Sequence, residues 1–238
     1  MRPKIGITLD WAETGSFSKR PHYALRQAYF DAIYHAGGLP VGIPFLEEAF
    51  EAYLNMVDGV IIPGSSHAAP DSWYVESDDD HAYKPSARTN FDAVAMAKIL
   101  KTKKPFLGIC GGMQVMGCVT GGKMHKNVHS AHDTAIDHLN GNPAEEVAHT
   151  IHVTEGTLLA EIIGKGEHHI NSAHVEVLVE LGDGVITNAI AEDGAIEGIE
   201  LKNHPFALGV QWHPEFLIGA EDGPDFKILS RFVEASRG

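Results

Sequence analysis

Short apolar runs alternate along this chain with stretches whose apolar residues recur at helical spacing. The runs, such as Lys4–Leu9, have the length and composition of strands that are buried on both faces of a sheet. Their alternation with helix-like stretches predicts an α/β fold, with a mixed, mostly parallel sheet and helices on both faces. The predicted strands are Lys4–Leu9, Leu39–Pro44, Asp58–Pro63, Pro105–Ile109, Val185–Ile190, Ala195–Leu201 and Phe206–Trp212, and the predicted helices are Tyr23–His35, Glu47–Met56, Phe91–Lys101 and Asp225–Ala235.

Turn and cap residues mark where several of these elements end. Gly37-Gly38 follows the first predicted helix, where a C-terminal cap is expected, and Thr89 or Asn90 is suited to capping the third. Asp193-Gly194 is a hairpin-type turn signal between two predicted strands. The stretch Gly64–Arg88 is polar and has no periodicity, which predicts a long surface loop of the kind that is usually functional.

Composition and charge narrow the class of protein. Apolar residues make up 44 % of the 238 positions and charged residues 21 %, so intrinsic disorder is excluded and one domain over residues 1–238 is expected. The 18 Lys and Arg against 32 Asp and Glu give a net charge of −14, which excludes nucleic acid and membrane surfaces as partners. No apolar stretch approaches the roughly 20 residues of a spanning helix, and no apolar signal segment opens the chain, so a cytoplasmic protein is expected.

The segment Gly108–Gln114 carries the strongest chemical signal. A buried strand runs into a glycine-rich turn and then into helix-compatible residues, which is the layout of a nucleophile elbow with Cys110 at its tip. A helix N-terminus lowers the pKa of a thiol and favours the thiolate. The alternative is a buried structural cysteine beside a phosphate-type glycine turn. The second cysteine, Cys118, has no glycine turn of its own and is interpreted as structural, and two cysteines make no disulfide scaffold.

A general base for this thiol is predicted at the end of the strand Phe206–Trp212. His213 follows that strand directly, on the sheet edge where α/β folds place their active sites. Glu215 is close enough in sequence to accept from the other imidazole nitrogen, and Pro214 restricts the backbone between them. The alternative is a turn whose side chains merely face solvent. Together with Cys110, these residues form a complete Cys-His-carboxylate triad.

Acyl transfer also needs donors for a developing oxyanion. The N–H of Gly111, next to the nucleophile, is one candidate. The N–H of Gly64, in the glycine turn after the strand Asp58–Pro63, is the other. An ordinary turn after a strand is the alternative for Gly64.

Three motifs resemble the class I glutamine amidotransferase family. They are I-I-P-G-S (Ile61–Ser65), G-I-C-G-G-M-Q (Gly108–Gln114) and G-V-Q-W-H-P-E (Gly209–Glu215), in the order and with the spacing of that family. Within it, the chain is most similar to the γ-glutamyl hydrolase branch, of peptidase C26 type. The details that point to this branch are I-G-I-T in Lys4–Asp10, Y-x-x-A-x-x-x-A-G-G-x-P in Tyr23–Pro40, T-G-G-K-M-H-K at 120–126, His152-Val153, Asn171-Ser172-Ala173-His174 and Asp193-Gly194-x-x-Glu197.

The resemblance implies a flavodoxin-like fold and a hydrolase that needs no metal or organic cofactor. Its triad falls on Cys110, His213 and Glu215, and its oxyanion donors on the backbone of Gly64 and Gly111. The substrate-binding residues it implies are Gln114, Asn171 and His174. The branch usually has Arg where this chain has Gly111, and often has a second His where this chain has Val175-Glu176. The family also favours a homodimer.

The function expected is therefore hydrolysis of a γ-glutamyl amide through a γ-glutamyl thioester. The resemblance implies γ-glutamyl-γ-aminobutyrate or a related γ-glutamyl amine as the small-molecule substrate, and with it a role in putrescine catabolism. One alternative is a glutaminase subunit that supplies ammonia to a separate synthetase. Another is a non-catalytic binding module on the same fold.

Histidines are frequent in the middle of the chain, between residues 125 and 152. His125 and His129 have the H-x-x-x-H spacing that binds zinc on a helix, but Asn127, Gly141 and Pro143 oppose a long helix there. No cysteine or tight acidic cluster completes a ligand set. We therefore expect a solvated, pH-sensitive surface and no metal. The histidines of this region are His125, His129, His132, His138, His149 and His152.

Overall fold

The computed structural model describes residues 1–65, 69–75, 86–139, 144–219 and 223–238. Its strands are β1 (Lys4–Thr8), β2 (Asp10–Ala12), β3 (His22–Ala24), β4 (Leu39–Ile43), β5 (Gly59–Ile62), β6 (Phe106–Ile109), β7 (Lys123–His125), β8 (His149–Val153), β9 (Gly166–Ile170), β10 (Val177–Glu180), β11 (Val185–Ala191), β12 (Ile196–Leu201) and β13 (Ala207–Val210). Its α-helices are α1 (Gln27–His35), α2 (Phe50–Met56), α3 (Ala87–Ile99), α4 (Gly111–Val119), α5 (Val128–His132), α6 (Leu158–Ile163) and α7 (Pro224–Ala235). Within these described ranges, every helix is too short or too polar to cross a membrane.

A nine-stranded sheet forms the centre, in the order β4-β1-β5-β6-β13-β12-β11-β8-β9. Neighbouring strands run parallel from β4 to β13 and antiparallel from β13 to β9. The hairpin predicted around Asp193-Gly194 joins β11 to β12, and Gly194 takes the positive φ of 89° that such a turn needs. The predicted mixed sheet and α/β class are therefore confirmed.

The helices cover both faces of this sheet. Strand side chains alternate between the two faces, so Ile61 enters one buried cluster while Val60 and Ile62 enter the other. Apolar residues of α1, α6 and α7 pack on the first face, and those of α2, α3 and α4 pack on the second. Because the parallel strands are buried on both faces, their sequences are almost entirely apolar, which is why they were predictable.

Several predicted boundaries need correction. The first helix begins at Gln27 rather than Tyr23, since Tyr23 pairs with Trp11 in a short two-stranded sheet. The third helix begins at Ala87, and its cap is Ser86, whose Oγ accepts from the N–H of Thr89 at 3.0 Å, rather than Thr89 or Asn90. The sequence pattern did not predict β2, β3, β7, β8, β9, β10, α5 or α6.

The loop predicted over Gly64–Arg88 lies in part outside the described residues, which omit 66–68 and 76–85. Residues 71–73 form a turn of 3-10 helix, and Tyr74 bridges to Met124. Arg88 belongs to α3 and is fully buried, so the prediction of a surface loop is wrong at its C-terminal end.

Three neighbouring parallel strands determine where the chemistry lies. β5, β6 and β13 are adjacent in the sheet, with Ile62 paired to Gly108 and Ile109 paired to Val210. Because parallel strands end at the same edge, the residues that follow these three strands meet there. Those residues are Gly64, Cys110 and His213.

Candidate active site

Cys110 occupies a strained turn between β6 and α4. Its φ of 51° and ψ of −108° lie outside the regions that non-glycine residues normally adopt. The Cys110 N–H is fixed by Val210 O at 2.8 Å, and its carbonyl accepts from Met113 and Gln114 at 3.0 and 3.2 Å, which starts the helix. The strand–turn–helix geometry is thus that of the predicted elbow.

Glycines on both sides of the turn allow this close packing. A Cβ atom on Gly112 would lie 1.9 Å from the carbonyl oxygen of Ile62, and one on Gly108 would lie 2.7 Å from the backbone of Gly112. No side chain fits at either position without moving backbone. At Gly111 the nearest atom to an added Cβ is the Ser65 nitrogen, at 3.2 Å, so this glycine is less constrained.

His213 and Glu215 lie beside this turn and contact one another. The Nδ1 of His213 is 2.8 Å from the Oε1 of Glu215, and the two residues are 6 % and 2 % exposed. Since a carboxylate accepts, Nδ1 carries the proton and Nε2 is left for the side of Cys110. Burial alone would lower the pKa of His213, but interactions with Cys110 and Glu215 raise it to about 10. This favours an imidazolium beside a thiolate.

Asn171 positions His213 through the backbone. Its Oδ1 accepts from the His213 N–H at 2.8 Å, and its Nδ2 donates to the His213 carbonyl at 2.9 Å and to the Ala144 carbonyl at 2.7 Å. Both amide protons of Asn171 are therefore used within the protein. Its expected contact with substrate stays a prediction.

Gln211 is a site residue that the sequence analysis missed. Its Nε2 donates to the Sγ of Cys110 at 3.5 Å, and its Oε1 accepts from Gln114 Nε2 at 3.2 Å. Gln114 also donates to the carbonyl of Glu176 at 3.1 Å. The available signal was position, since Gln211 stands two residues before His213 in an extended segment and so points to the same side.

The Gly64 turn completes the arrangement. A Cβ on Gly64 would lie 2.8 Å from His213 Cε1 and 3.3 Å from Cys110 Cβ, so the turn contacts both residues. The N–H of Gly64 donates to the Tyr29 hydroxyl at 3.1 Å. Tyr29 is 2 % exposed, and its pKa lies well above the usual value because of burial and the nearby charges of Glu215 and Cys110.

Arg88 supports the same turn from behind. This fully buried guanidinium donates to Asp92 at 2.7 Å and to the Pro63 carbonyl at 3.0 Å. It thereby fixes the peptide unit whose N–H belongs to Gly64. Burial raises the pKa of Asp92, and the ion pair with Arg88 opposes that effect.

A pocket opens beside the glycine turn. Its lining residues include Ser65, Trp73, Gly111, Gln114 and Glu176. The Oε1 of Glu176 accepts from the Tyr74 hydroxyl at 2.6 Å, and burial raises the pKa of this carboxyl. Of the residues predicted to bind substrate, Gln114 is the one that lines this pocket.

His174 lies elsewhere, in a buried cluster with His138 and Glu197. His138 is fully buried, and the side chain of His149 is 6 % exposed. The prediction of a solvated histidine surface is therefore wrong for His138 and His149, because the chain folds them against the antiparallel half of the sheet. His152, by contrast, is exposed as predicted.

Comparisons with known proteins agree with this geometry. The Peptidase C26 family profile matches residues 3–215. The chain is 32 % identical to the γ-glutamyl-γ-aminobutyrate hydrolase of Escherichia coli K12 over 204 residues, which cover 81 % of this chain and 78 % of that protein. It is 29 % identical to a glutamine amidotransferase-like protein of Rickettsia prowazekii, covering 99 % of this chain and 98 % of the other.

The fold has a counterpart among solved structures. The glutaminase domain of Trypanosoma brucei CTPS superposes with a TM-score of 0.66 at 15 % sequence identity, covering 98 % of this chain and 93 % of that one. At this identity the likeness shows the fold alone. Taken with the family profile, it means that the chain belongs to the Peptidase C26 family of class I glutamine amidotransferase-like proteins.

Proposed function

We propose that this protein hydrolyses a γ-glutamyl amide bond with Cys110 as nucleophile, His213 as acid and base, and Glu215 as the group that orients His213. The observation that carries the proposal is the placement of a strained, glycine-flanked cysteine next to a buried His–Glu pair with an Nδ1–Oε1 distance of 2.8 Å. A structural cysteine has no need of an unfavourable φ, whereas a nucleophile gains access to its substrate from it.

The first half of the reaction forms an acyl-enzyme. The Cys110 thiolate attacks the γ-carbonyl carbon, and the electron pair of the C=O bond moves onto oxygen. When the tetrahedral intermediate collapses, the C–N bond breaks and the Nε2 proton of His213 passes to the leaving amine. The product is a γ-glutamyl thioester on Cys110 and a neutral His213.

The second half releases glutamate. Neutral His213 takes a proton from water, and the hydroxide attacks the thioester carbon. Collapse of this second intermediate breaks the C–S bond and restores the thiolate beside the imidazolium. Glu215 keeps the imidazole ring in one tautomer throughout, because its carboxylate accepts from Nδ1.

Two backbone N–H groups stabilise the oxyanion. Gly111 opens α4, and the first N–H groups of a helix have no carbonyl partner within that helix. Gly64 supplies the second donor by sharing its N–H between the Tyr29 hydroxyl and the oxyanion.

The substrate's glutamyl part is assigned to the pocket beside Gly111. Glu176 offers a carboxyl group to the α-ammonium, and Gln114 offers its side-chain amide. The named hydrolase of Escherichia coli supports γ-glutamyl-γ-aminobutyrate, or a related γ-glutamyl amine, as the substrate. Gly111 and Val175-Glu176, where this chain departs from the branch pattern, border this pocket region and would adapt it to its own leaving amine.

A panel of γ-glutamyl compounds tests the proposal. It comprises L-glutamine, γ-glutamyl-γ-aminobutyrate, γ-glutamyl-putrescine and short γ-glutamyl peptides, with released amine and glutamate measured by mass spectrometry. Turnover of a non-glutamine member by the wild-type protein, absent in Cys110→Ala, is the expected result. Slow turnover of glutamine alone, accelerated by a synthetase-containing extract, would favour the ammonia-supplying subunit instead. Binding without turnover would favour the non-catalytic module.

A further inference from the structure

A second cluster of titratable side chains lies in the antiparallel half of the sheet, away from Cys110. Glu197 stands on β12 and His149 on β8, while His138 follows α5 and His174 lies between β9 and β10. His138 and Glu197 are fully buried, and His174 is 4 % exposed. The proposed hydrolysis uses none of these four side chains.

Three of their atoms form a compact triangle. His138 Nδ1 lies 3.1 Å from His174 Nε2, and each of these nitrogens lies 3.2 Å from Glu197 Oε1. A tetrahedral ion with bonds of about 2.0–2.1 Å holds its ligand atoms about 3.3 Å apart. The triangle therefore has the size of one face of a metal coordination shell.

The tautomers of the two rings are set by what lies on their outer sides. His138 Nε2 is 2.8 Å from a carboxylate oxygen of Asp193, and His174 Nδ1 is 2.9 Å from the carbonyl of Glu176. Both partners accept, so each ring carries its proton on the outer nitrogen and, when neutral, turns a lone pair inward. Two lone pairs and a carboxylate oxygen then face one point, and only a cation relieves that repulsion.

His149 adds an independent observation. Its Nδ1 lies 3.3 Å from the Thr150 carbonyl, which leaves the Nε2 lone pair on the other side. That Nε2 atom is buried, has no hydrogen-bond partner among the described residues, and lies 3.7 Å from Glu197 Oε1. Glu197 Oε2 is likewise buried and without a hydrogen-bond partner in that part of the chain. Orphaned buried polar atoms are rare in folded proteins, and an unmodelled ion is one of their usual causes.

We propose that His138, His174 and Glu197 bind a divalent transition-metal ion of the Zn²⁺ class, with His149 as a fourth ligand after a small movement of its ring. Three imidazoles and one carboxylate suit Zn²⁺ or Co²⁺, whereas Mg²⁺ and Ca²⁺ prefer oxygen ligands. Four protein ligands in a buried setting make a closed site, and closed sites are structural rather than catalytic.

The ion would stabilise the region behind the candidate active site. The carbonyl of Glu197 accepts from the N–H of Gln211 at 2.8 Å, and Gln211 contacts Cys110. The Glu176 carbonyl accepts from both His174 and Gln114. Fixing Glu197 and His174 on one ion thus fixes the backbone that places Gln211 and Gln114, without taking part in bond cleavage.

Metal titration of the whole protein tests the site. Chelator-treated, dialysed protein is titrated with Co²⁺ and with Zn²⁺, using Cys110→Ser protein in parallel so that the thiol contributes nothing. The site predicts about one ion per chain, visible Co²⁺ bands of tetrahedral intensity without sulfur charge transfer, and a raised Tm. Glu197→Gln and His174→Asn are expected to weaken binding at least about 100-fold.

His152→Asn is the matched control, because His152 lies on β8 like His149 but is exposed. It should bind Co²⁺ as the wild type does, and His149→Asn should bind more weakly. If Glu197→Gln fails to fold, as judged by circular dichroism, the wild-type titration and the two β8 variants still decide. Failure of wild-type protein to take up either ion, or equal losses in His149→Asn and His152→Asn, would overturn the site and leave a proton shared by the cluster. None of these readouts depends on turnover, so the proposed hydrolysis is tested separately.

Discussion

The N–H of Gly64 donates a hydrogen bond to the hydroxyl of Tyr29 at 3.1 Å, deep beneath the candidate nucleophile. The same hydroxyl interacts with the carboxylate of Glu215. One buried side chain therefore connects the turn that offers an oxyanion donor to the carboxylate that orients His213. Tyr29 links two parts of the site that are 151 positions apart in the chain, since they stand at 64 and 215.

Replacing Tyr29 with Phe removes this connection and little volume. The Gly64 N–H loses its partner and Glu215 loses a donor, so kcat should fall by about 10-fold, corresponding to about 1.4 kcal/mol, with a smaller change in KM. Steady-state kinetics on the best substrate of the γ-glutamyl panel measures both constants. Tyr34→Phe is the control, because Tyr34 lies on the same helix and is exposed. Equal kcat values in the two variants would remove Tyr29 from the site.

The two glycines after Cys110 should respond differently to Ala. Gly112→Ala places a Cβ 1.9 Å from the Ile62 carbonyl, so the backbone must move and the free energy of unfolding should drop by at least about 3 kcal/mol. Gly111→Ala places its Cβ 3.2 Å from the Ser65 nitrogen, which small adjustments absorb, and the loss should stay below about 1 kcal/mol. Urea unfolding followed by circular dichroism compares them. Similar stabilities would contradict the packing described here.

The two cysteines should differ in reactivity. Burial raises the pKa of Cys118 to about 12, so about one Cys118 thiol in 10⁵ is ionised at neutral pH. Iodoacetamide should therefore modify Cys110 and spare Cys118, as read by peptide mass spectrometry. Cys118→Ser protein should be labelled like the wild type, and Cys110→Ser protein should remain unlabelled. Labelling of Cys118 at a rate similar to that of Cys110 would show that the thiol next to His213 is not activated.

Asp225 should make stability depend on pH. Burial raises its pKa to about 6, while the hydrogen bond from Trp212 Nε1 at 2.8 Å opposes the shift in part. A carboxyl whose pKa is higher in the folded state favours folding when protonated. Its contribution is complete below its ordinary value of 3.8 and is lost as the pH rises through about 6.

The comparison that isolates this effect is with Asp225→Asn, which keeps an acceptor for Trp212. Between about pH 4 and pH 7 the wild type should lose up to about 3 kcal/mol of stability relative to this variant. Urea unfolding at a series of pH values measures the difference. Glu234→Gln, an exposed change on the same helix, should give a curve parallel to the wild type. Parallel curves for Asp225→Asn as well would contradict the shift.

The parallel half of the fold was predictable because β1, β5 and β6 are buried on both faces and have almost no polar residues. The antiparallel edge was not. β8 (HTIHV) and β9 (GEHHI) mix His, Thr and Glu with apolar residues, and their strand character depends on pairing with each other.

The candidate triad was predictable for a related reason. Cys110 and His213 each follow a recognisable strand, and parallel strands bring their ends to one edge. Tyr29 gave no such signal, since its place on an amphipathic helix indicates a core residue. The His138–His174–Glu197 cluster gave none either, because its members come together only through tertiary packing of the antiparallel strands.

Mass spectrometry of the acyl-enzyme tests the central claim most directly. Wild-type protein is mixed with γ-glutamyl-γ-aminobutyrate or with the best substrate of the panel, quenched in acid within the first turnovers, and measured intact and after digestion. The mechanism predicts an added mass of one glutamyl group on the peptide that contains Cys110, labile to hydroxylamine as a thioester is, and absent from Cys110→Ala protein. Turnover that proceeds in Cys110→Ala, with no glutamyl adduct in the wild type, would contradict it.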